Sequence, residues 1–126
     1  MMTKYSENSQ PSDSFEEGKK EYEVKILRPA QVDLERIALL HRDYVGAQSA
    51  EQITESIYQV LEHLQDYPKM GFLLPDLELQ ALEYRGLLCD KRFLAIYRCI
   101  GINVFVYHVL DTRSDYQRLF ARLPKK

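Results

Sequence analysis

Cysteine is scarce in this chain: its two copies, Cys89 and Cys99, lie in separate strand-like runs. With no C-x-x-C pair and no Cys/His spacing that would surround a zinc ion, no metal site is expected, and no cofactor motif stands in its place. Two small buried thiols, kept reduced in the cytoplasm, are the expected state. Long apolar runs are missing as well. None reaches the ~18 residues of a membrane span, and the N-terminus lacks the apolar stretch of a secretory signal. These absences predict a cytoplasmic protein that makes no membrane contact.

Residues 1–20, MMTKYSENSQPSDSFEEGKK, have few large apolar side chains (Met1, Met2, Tyr5 and Phe15) and no period. Such a segment cannot offset the entropy lost on ordering, so a disordered polar tail is expected over 1–20 and a single domain over 21–123. A domain of about 100 residues buries roughly 65% of its unfolded surface, enough for one modest core without disulfide staples.

Net charge is also small, −2, but it is unevenly spread. From Glu21 to Glu83 there are 5 Lys/Arg against 12 Asp/Glu, a net of −7; from Tyr84 to Lys126 there are 9 against 3, a net of +6. A basic second half suits an anionic partner, either nucleic acid or an acidic protein surface. The weak overall field argues against strong non-specific nucleic-acid binding.

What is present is periodic. EYEVKILR alternates, with Tyr22, Val24, Ile26 and Arg28 on one side, as a strand does. Pro29 suits the first turn of a following helix, in which Leu34, Ile37, Ala38 and His41 form a stripe that ends near Gly46. Ser49 with Gln52 has the form of a capping box for a second helix, striped by Ile53, Ile57, Val60, Leu61 and Leu64 and stopped by Pro68. A loop of roughly four residues between them predicts an antiparallel helical hairpin. PKMGFLLPDLELQ reads as an irregular connection. LEYRGLLC, RFLAIYRC and INVFVYHVL read as strands, and SDYQRLFARL as a short C-terminal helix capped by Ser114 with Gln117. The expected fold is α+β: a strand, an antiparallel helical hairpin, then a mainly antiparallel sheet and a short C-terminal helix.

If Ile100-Gly101 is the turn of the last hairpin, Cys99 faces Ile102, Tyr97 faces Val104 and Phe93 faces His108. Phe93, Ala95, Tyr97, Val104, Val106, His108 and Leu110 then meet the helices. Arg92, Leu94, Ile96, Arg98, Asn103, Phe105, Tyr107 and Val109 form the other face, expected to be the working surface. The neighbours of His108 are apolar, so a core histidine is expected there rather than a general base. His41 and His63 fall near helix ends, where a cation is mildly favourable.

In this order YEVKIL, AQVDLERI, VLEHLQDYPKMG, RFLAIYR and VYHVLDTRSDYQRLF resemble the RelE/ParE family of bacterial toxins, over about a hundred residues from Tyr22 to Leu119. The resemblance implies the RelE/ParE-like toxin fold and a growth-inhibiting toxin of a type II toxin–antitoxin system, of the plasmid-stabilization kind. Its implied partner is a cognate antitoxin bound in a toxin–antitoxin hetero-oligomer. Two activities follow from it: ParE-like members inhibit DNA gyrase, whereas RelE-like members act on the ribosome as mRNA endonucleases. A degenerate member that only binds its antitoxin is a third reading. The YPKMG turn and the R-x-D ending lean towards the ParE-like branch.

RNA cleavage needs a base, a proton donor and cations for the developing phosphorane. The cation implied in the central strand of RelE-like toxins falls at Leu94, and Arg92 lies one pleat, roughly 7 Å, away. The catalytic candidates, were the chain a nuclease, are Arg92, Arg98, Tyr107 and Arg113. Target- or antitoxin-binding candidates are Arg85, Arg92, Arg98, Phe105, Tyr107, Arg113 and Tyr116. Arg113 and Asp115 match the R-x-D ending, and Asp115 also suits a first helical turn.

Overall fold

The computed structural model describes residues 22–114 and 117–125. The tail expected over 1–20, as well as Asp115 and Tyr116, lies outside the described residues.

β1 (Glu23–Ile26) turns half-buried Val24 and Ile26 to the core. At Leu27 the backbone is still extended; α1 (Arg28–Val45) begins one residue later with proline in its first turn, so Arg28 opens the helix instead of continuing the strand. α1 ends at Gly46, whose φ of 102° lies where only glycine is comfortable. That residue alone connects α1 to α2 (Ala47–Glu62). The Ser49–Gln52 capping box is therefore not formed: the Gly46 carbonyl already accepts from the Ala50 N–H, so α2 starts two residues before Ser49. The stripe itself holds. Ile57, Leu61 and Leu64 are fully buried, and Ile53 and Val60 pack beside them.

The breaker-rich connection contains two short elements, β2 (Phe72–Leu73) and α3 (Leu77–Ala81). Asp76 caps α3, its Oδ1 accepting from the Leu79 N–H at 3.0 Å. β3 (Arg85–Cys89), β4 (Phe93–Ile100), β5 (Asn103–Asp111) and α4 (Gln117–Phe120) follow. The sheet order is β1-β5-β4-β3-β2; β1 runs parallel to β5, and every other pair is antiparallel.

The β4–β5 hairpin differs from expectation in register. Its turn is Gly101-Ile102, so Cys99 pairs with Val104 and Tyr97 with Val106. A slip of two leaves the faces unchanged, and Phe93, Ala95, Tyr97, Val104 and Val106 do meet α1 and α2. Next comes a β-bulge. Ile96 pairs with His108, which leaves Tyr107 as an extra residue and reverses the parity of β5 beyond it. Val109 thereby joins the helix-side core and Leu110 the far side, opposite to the simple alternation.

The far face is not the open surface that was expected. Leu94, Ile96 and Tyr84 are buried there beneath Leu74, Leu79, Phe120 and Leu123, so α3 and the C-terminal segment form a second apolar layer. The Tyr84 hydroxyl fastens that layer by donating to the Pro124 carbonyl at 2.6 Å. Each fully buried leucine or isoleucine contributes about 1.5–3 kcal/mol, which favours covering this face over leaving it wet.

Both thiols are free; Cys89 is buried as expected, whereas Cys99, beside the exposed turn of the β4–β5 hairpin, is only partly covered. Burial pushes the Cys89 thiol up to about 12, and it raises the half-exposed Cys99 thiol as well. A thiol reagent at neutral to mildly alkaline pH is expected to label only Cys99 in the folded protein, and slowly. Cys99→Ser should silence the signal until denaturant is added. Two fast thiols would contradict the packing of β3.

Candidate functional site

β5 ends at Asp111, and the turn after it is tied to that one carboxylate. Asp111 Oδ1 accepts from the Arg113 backbone N–H (2.9 Å) and Nε (3.2 Å), while Oδ2 accepts from Arg113 Nη2 (3.1 Å) and Arg92 Nε (3.4 Å). The Asp111 carbonyl accepts from the N–H and hydroxyl of Ser114. Thr112 N–H donates to the Arg92 carbonyl, which closes the turn onto the β3–β4 loop. Charged residues therefore end this apolar strand because they fold the turn, and in doing so they gather Arg92 and Arg113 at one rim.

Burial pulls the Asp111 carboxyl up, but the hydrogen bonds and charge of Arg113, helped by Arg92, outweigh it and leave the group below its ordinary 3.8. A lowered carboxyl stabilises the fold above its unfolded pKa, and that stability is lost as pH falls through the folded value. The stability difference between the wild type and Asp111→Asn should therefore be flat above ~pH 5 and shrink towards ~pH 2, as followed by urea titration. A constant difference would mean the rim contributes no pH dependence.

Beside the rim, α1 is clamped to the bulge of β5. Asp33 Oδ2 accepts from the Val109 N–H at 2.9 Å and lies 2.8 Å from His108 Nδ1, the nitrogen that donates in the tautomer suited to a carboxylate partner. His108 is thus a half-buried, paired histidine at the helix–sheet seam. Arg36, one turn along α1, approaches Asp33 at 4.0 Å. Between α1 and the ends of β4 and β5 lies a cavity of about 320 Å³, walled by Ile37, Leu40, Phe93 and Leu119, with Arg36 and Arg92 also lining it.

The other candidate residues stand elsewhere. Arg98, at the far end of β4, donates from Nε to the Leu82 carbonyl (3.0 Å) and lies 5.0 Å over the Tyr84 ring. Arg85 donates to the carbonyls of Gly71 (2.8 Å) and Lys69 (3.4 Å), holding the YPKMG turn. Tyr107 meets Tyr84 edge-on at 5.2 Å in the second apolar layer. Burial, with Tyr107 beside it, pushes the Tyr84 hydroxyl up to about 12. Phe105 is half-buried on β5 opposite Arg98. Tyr116 lies outside the described residues. The candidates thus gather in two places: Arg92 and Arg113 at the rim around Asp111, and Arg98, Tyr107 and Phe105 about the far end of β4, where Arg98 and Tyr107 share the Tyr84 ring. The residues that complete the surroundings of the rim, Asp111, Asp33 and Arg36, were not singled out from the sequence; Asp33 meets His108 across 75 positions, and no local pattern announces that.

Among the described residues no group of three potential ligands could hold a metal ion, and no helix is long and apolar enough to cross a membrane.

One strand, a helical hairpin and a bulged antiparallel sheet closed by a C-terminal helix define a fold shared with a toxin–antitoxin protein. A chain of the chromosomal ParDE toxin–antitoxin system from P. aeruginosa matches with a TM-score of 0.60 at 20% identity, covering 71% of this chain and 95% of that one. Residues 24–116 match the family described as ParE toxin of type II toxin-antitoxin system, parDE, and the chain belongs to that family. No curated protein gives a match.

Proposed function

We propose that this ParE-family toxin arrests growth by binding an essential target of the DNA gyrase class through its rim, and that a cognate antitoxin neutralises it. The observation that carries the proposal is the scatter of the groups a nuclease would need. Arg92 and Arg98 sit at opposite ends of β4, roughly 20 Å apart. The sheet between them carries Leu94 and Ile96 under an apolar cover. General acid–base work requires groups within about 3 Å of the transferred proton, whereas the candidates split between Arg92 with Arg113 at the rim and Arg98 with Tyr107 about the Tyr84 ring. Arg113, exposed and preset by Asp111, presents charge outward, as a binding residue would.

The first test maps new RNA 5′ ends minutes after the protein is induced without its antitoxin, alongside supercoiling by purified gyrase. Growth arrest with lost supercoiling and no new ends is expected. Ends phased with the reading frame would replace this proposal with ribosome-dependent cleavage, and no arrest at all would leave a chain that only binds antitoxin. Arg113→Ala is expected to relieve arrest and to leave antitoxin co-purification intact, with the melting temperature lowered only slightly because the lost pair with Asp111 is solvent-exposed. A mutant as toxic as the wild type would remove Arg113 from the site.

A further inference from the structure

We propose that the cavity between α1 and the rim grips an acidic, apolar peptide segment of the protein target: one carboxylate beside one aliphatic or aromatic side chain. The assignment deepens the binding role above and rests on it. The cations at this cavity have donors to spare. Arg92 reaches Asp111 only through Nε at 3.4 Å, its guanidinium lying 5.1 Å over the Phe93 ring. Arg36 approaches Asp33 only at 4.0 Å, and its side chain is 66% exposed. The carboxylates in the same walls are already engaged. Asp111 accepts three hydrogen bonds from Arg113, and Asp33 is held by Val109 and His108. The anion that completes this site therefore comes from outside.

Apart from His41 and Ser114, the rest of the lining is apolar, chiefly through Ile37, Phe93, Val109 and Leu119, and Leu40 stands 51% exposed at its wall. A volume of about 320 Å³ is at the small end of ligand pockets and suits a pair of mid-sized side chains. A planar guanidinium over an aromatic ring, with free donors beside an apolar floor, matches a carboxylate carried next to a hydrophobic residue. Nucleic-acid phosphate fits poorly. Phosphate-backbone sites are extended basic stripes that need no apolar floor, whereas here two arginines border an apolar cavity.

The test uses the full chain, ¹⁵N-labelled, with acetyl-Glu-Leu-Phe-Glu-amide as probe, its Gln-Leu-Phe-Gln isostere and a short DNA duplex. The acidic peptide should give saturable shifts at the amides of Leu40, Phe93 and Leu110 with Kd of about 1 mM or below. Binding should weaken about tenfold both in Arg92→Gln and with the isostere. Lys25→Gln, on β1, should leave it unchanged. Equal binding of the two peptides, no saturation, or saturable shifts of the same amides by DNA alone would overturn the assignment. Supercoiling separates the two levels. If the peptide binds but wild-type protein leaves gyrase active, the target reading falls and the site stands. If gyrase is inhibited equally by wild type and Arg92→Glu, the site falls and the target reading stands.

Discussion

Replacing Asp33 with alanine is expected to destabilise the fold by about 2–3 kcal/mol, because it deprives a buried N–H of its acceptor and a half-buried histidine of its partner. For a domain of this size the melting temperature should fall by roughly 10–20 °C. β1 pairs with β5 only as far as Val106, and beyond that point Asp33 Oδ2 is the acceptor that the Val109 N–H finds. Asp33→Asn keeps a carbonyl oxygen for that N–H and should lose less than half as much. Urea titrations of both variants give the comparison. An alanine variant within about 0.5 kcal/mol of the wild type would mean the α1–β5 clamp is dispensable.

The second large effect is expected at Gly71. A Cβ there would sit 2.5 Å from the Gly86 carbonyl oxygen and 2.8 Å from the Tyr97 hydroxyl. The first obstacle is backbone of β3 and cannot rotate aside. The second accepts the Gly71 N–H at 2.8 Å, so moving it breaks a buried hydrogen bond. Gly71→Ala should therefore lose about 2–4 kcal/mol through overpacking and the broken contact together. Tyr97→Phe removes only the hydroxyl and should lose about 1–2 kcal/mol. The double variant should lose less than the sum, since without the hydroxyl the new methyl meets one obstacle fewer. Strict additivity in chemical denaturation would show that the methyl is accommodated by some other movement.

Elements long enough to repeat their pattern could be read from the sequence. α1 and α2 carry stripes of several turns, and β4 and β5 are largely apolar runs of eight and nine residues between turn signals, so their existence follows from the pattern, whereas their faces depend on the assumed hairpin turn. Features set by one or two residues could not be read. The single-residue break at Gly46 looked like a longer loop because Ser49 and Gln52 mimic a cap. β2 is two residues and α3 five, too short for any period to register. The bulge at Tyr107 leaves no mark in the apolar pattern, yet it decides which way Val109 and Leu110 point.

The candidate site divides in the same way. Arg113 and Arg92 were visible as charges in a basic half, but their union depends on Asp111, whose carboxylate accepts from both guanidinium groups, a contact no local pattern shows. The arginines of the far face were read as lining an open groove because nothing local shows that Phe120 and Leu123 return to cover it. That cover is a tertiary fact, made by residues more than 20 positions downstream of the strand they seal.

The pairing of β1 with β5 brings Glu23 alongside Asn103 and Ile26 alongside Val106. The first strand thus waits for the last, and no shorter portion of the chain can complete the sheet. A nascent chain on the ribosome must expose the apolar faces of α1 and α2 until β5 has emerged, and closing so long a loop is slow. The order of synthesis therefore withholds the assembled rim until translation of the domain is nearly finished.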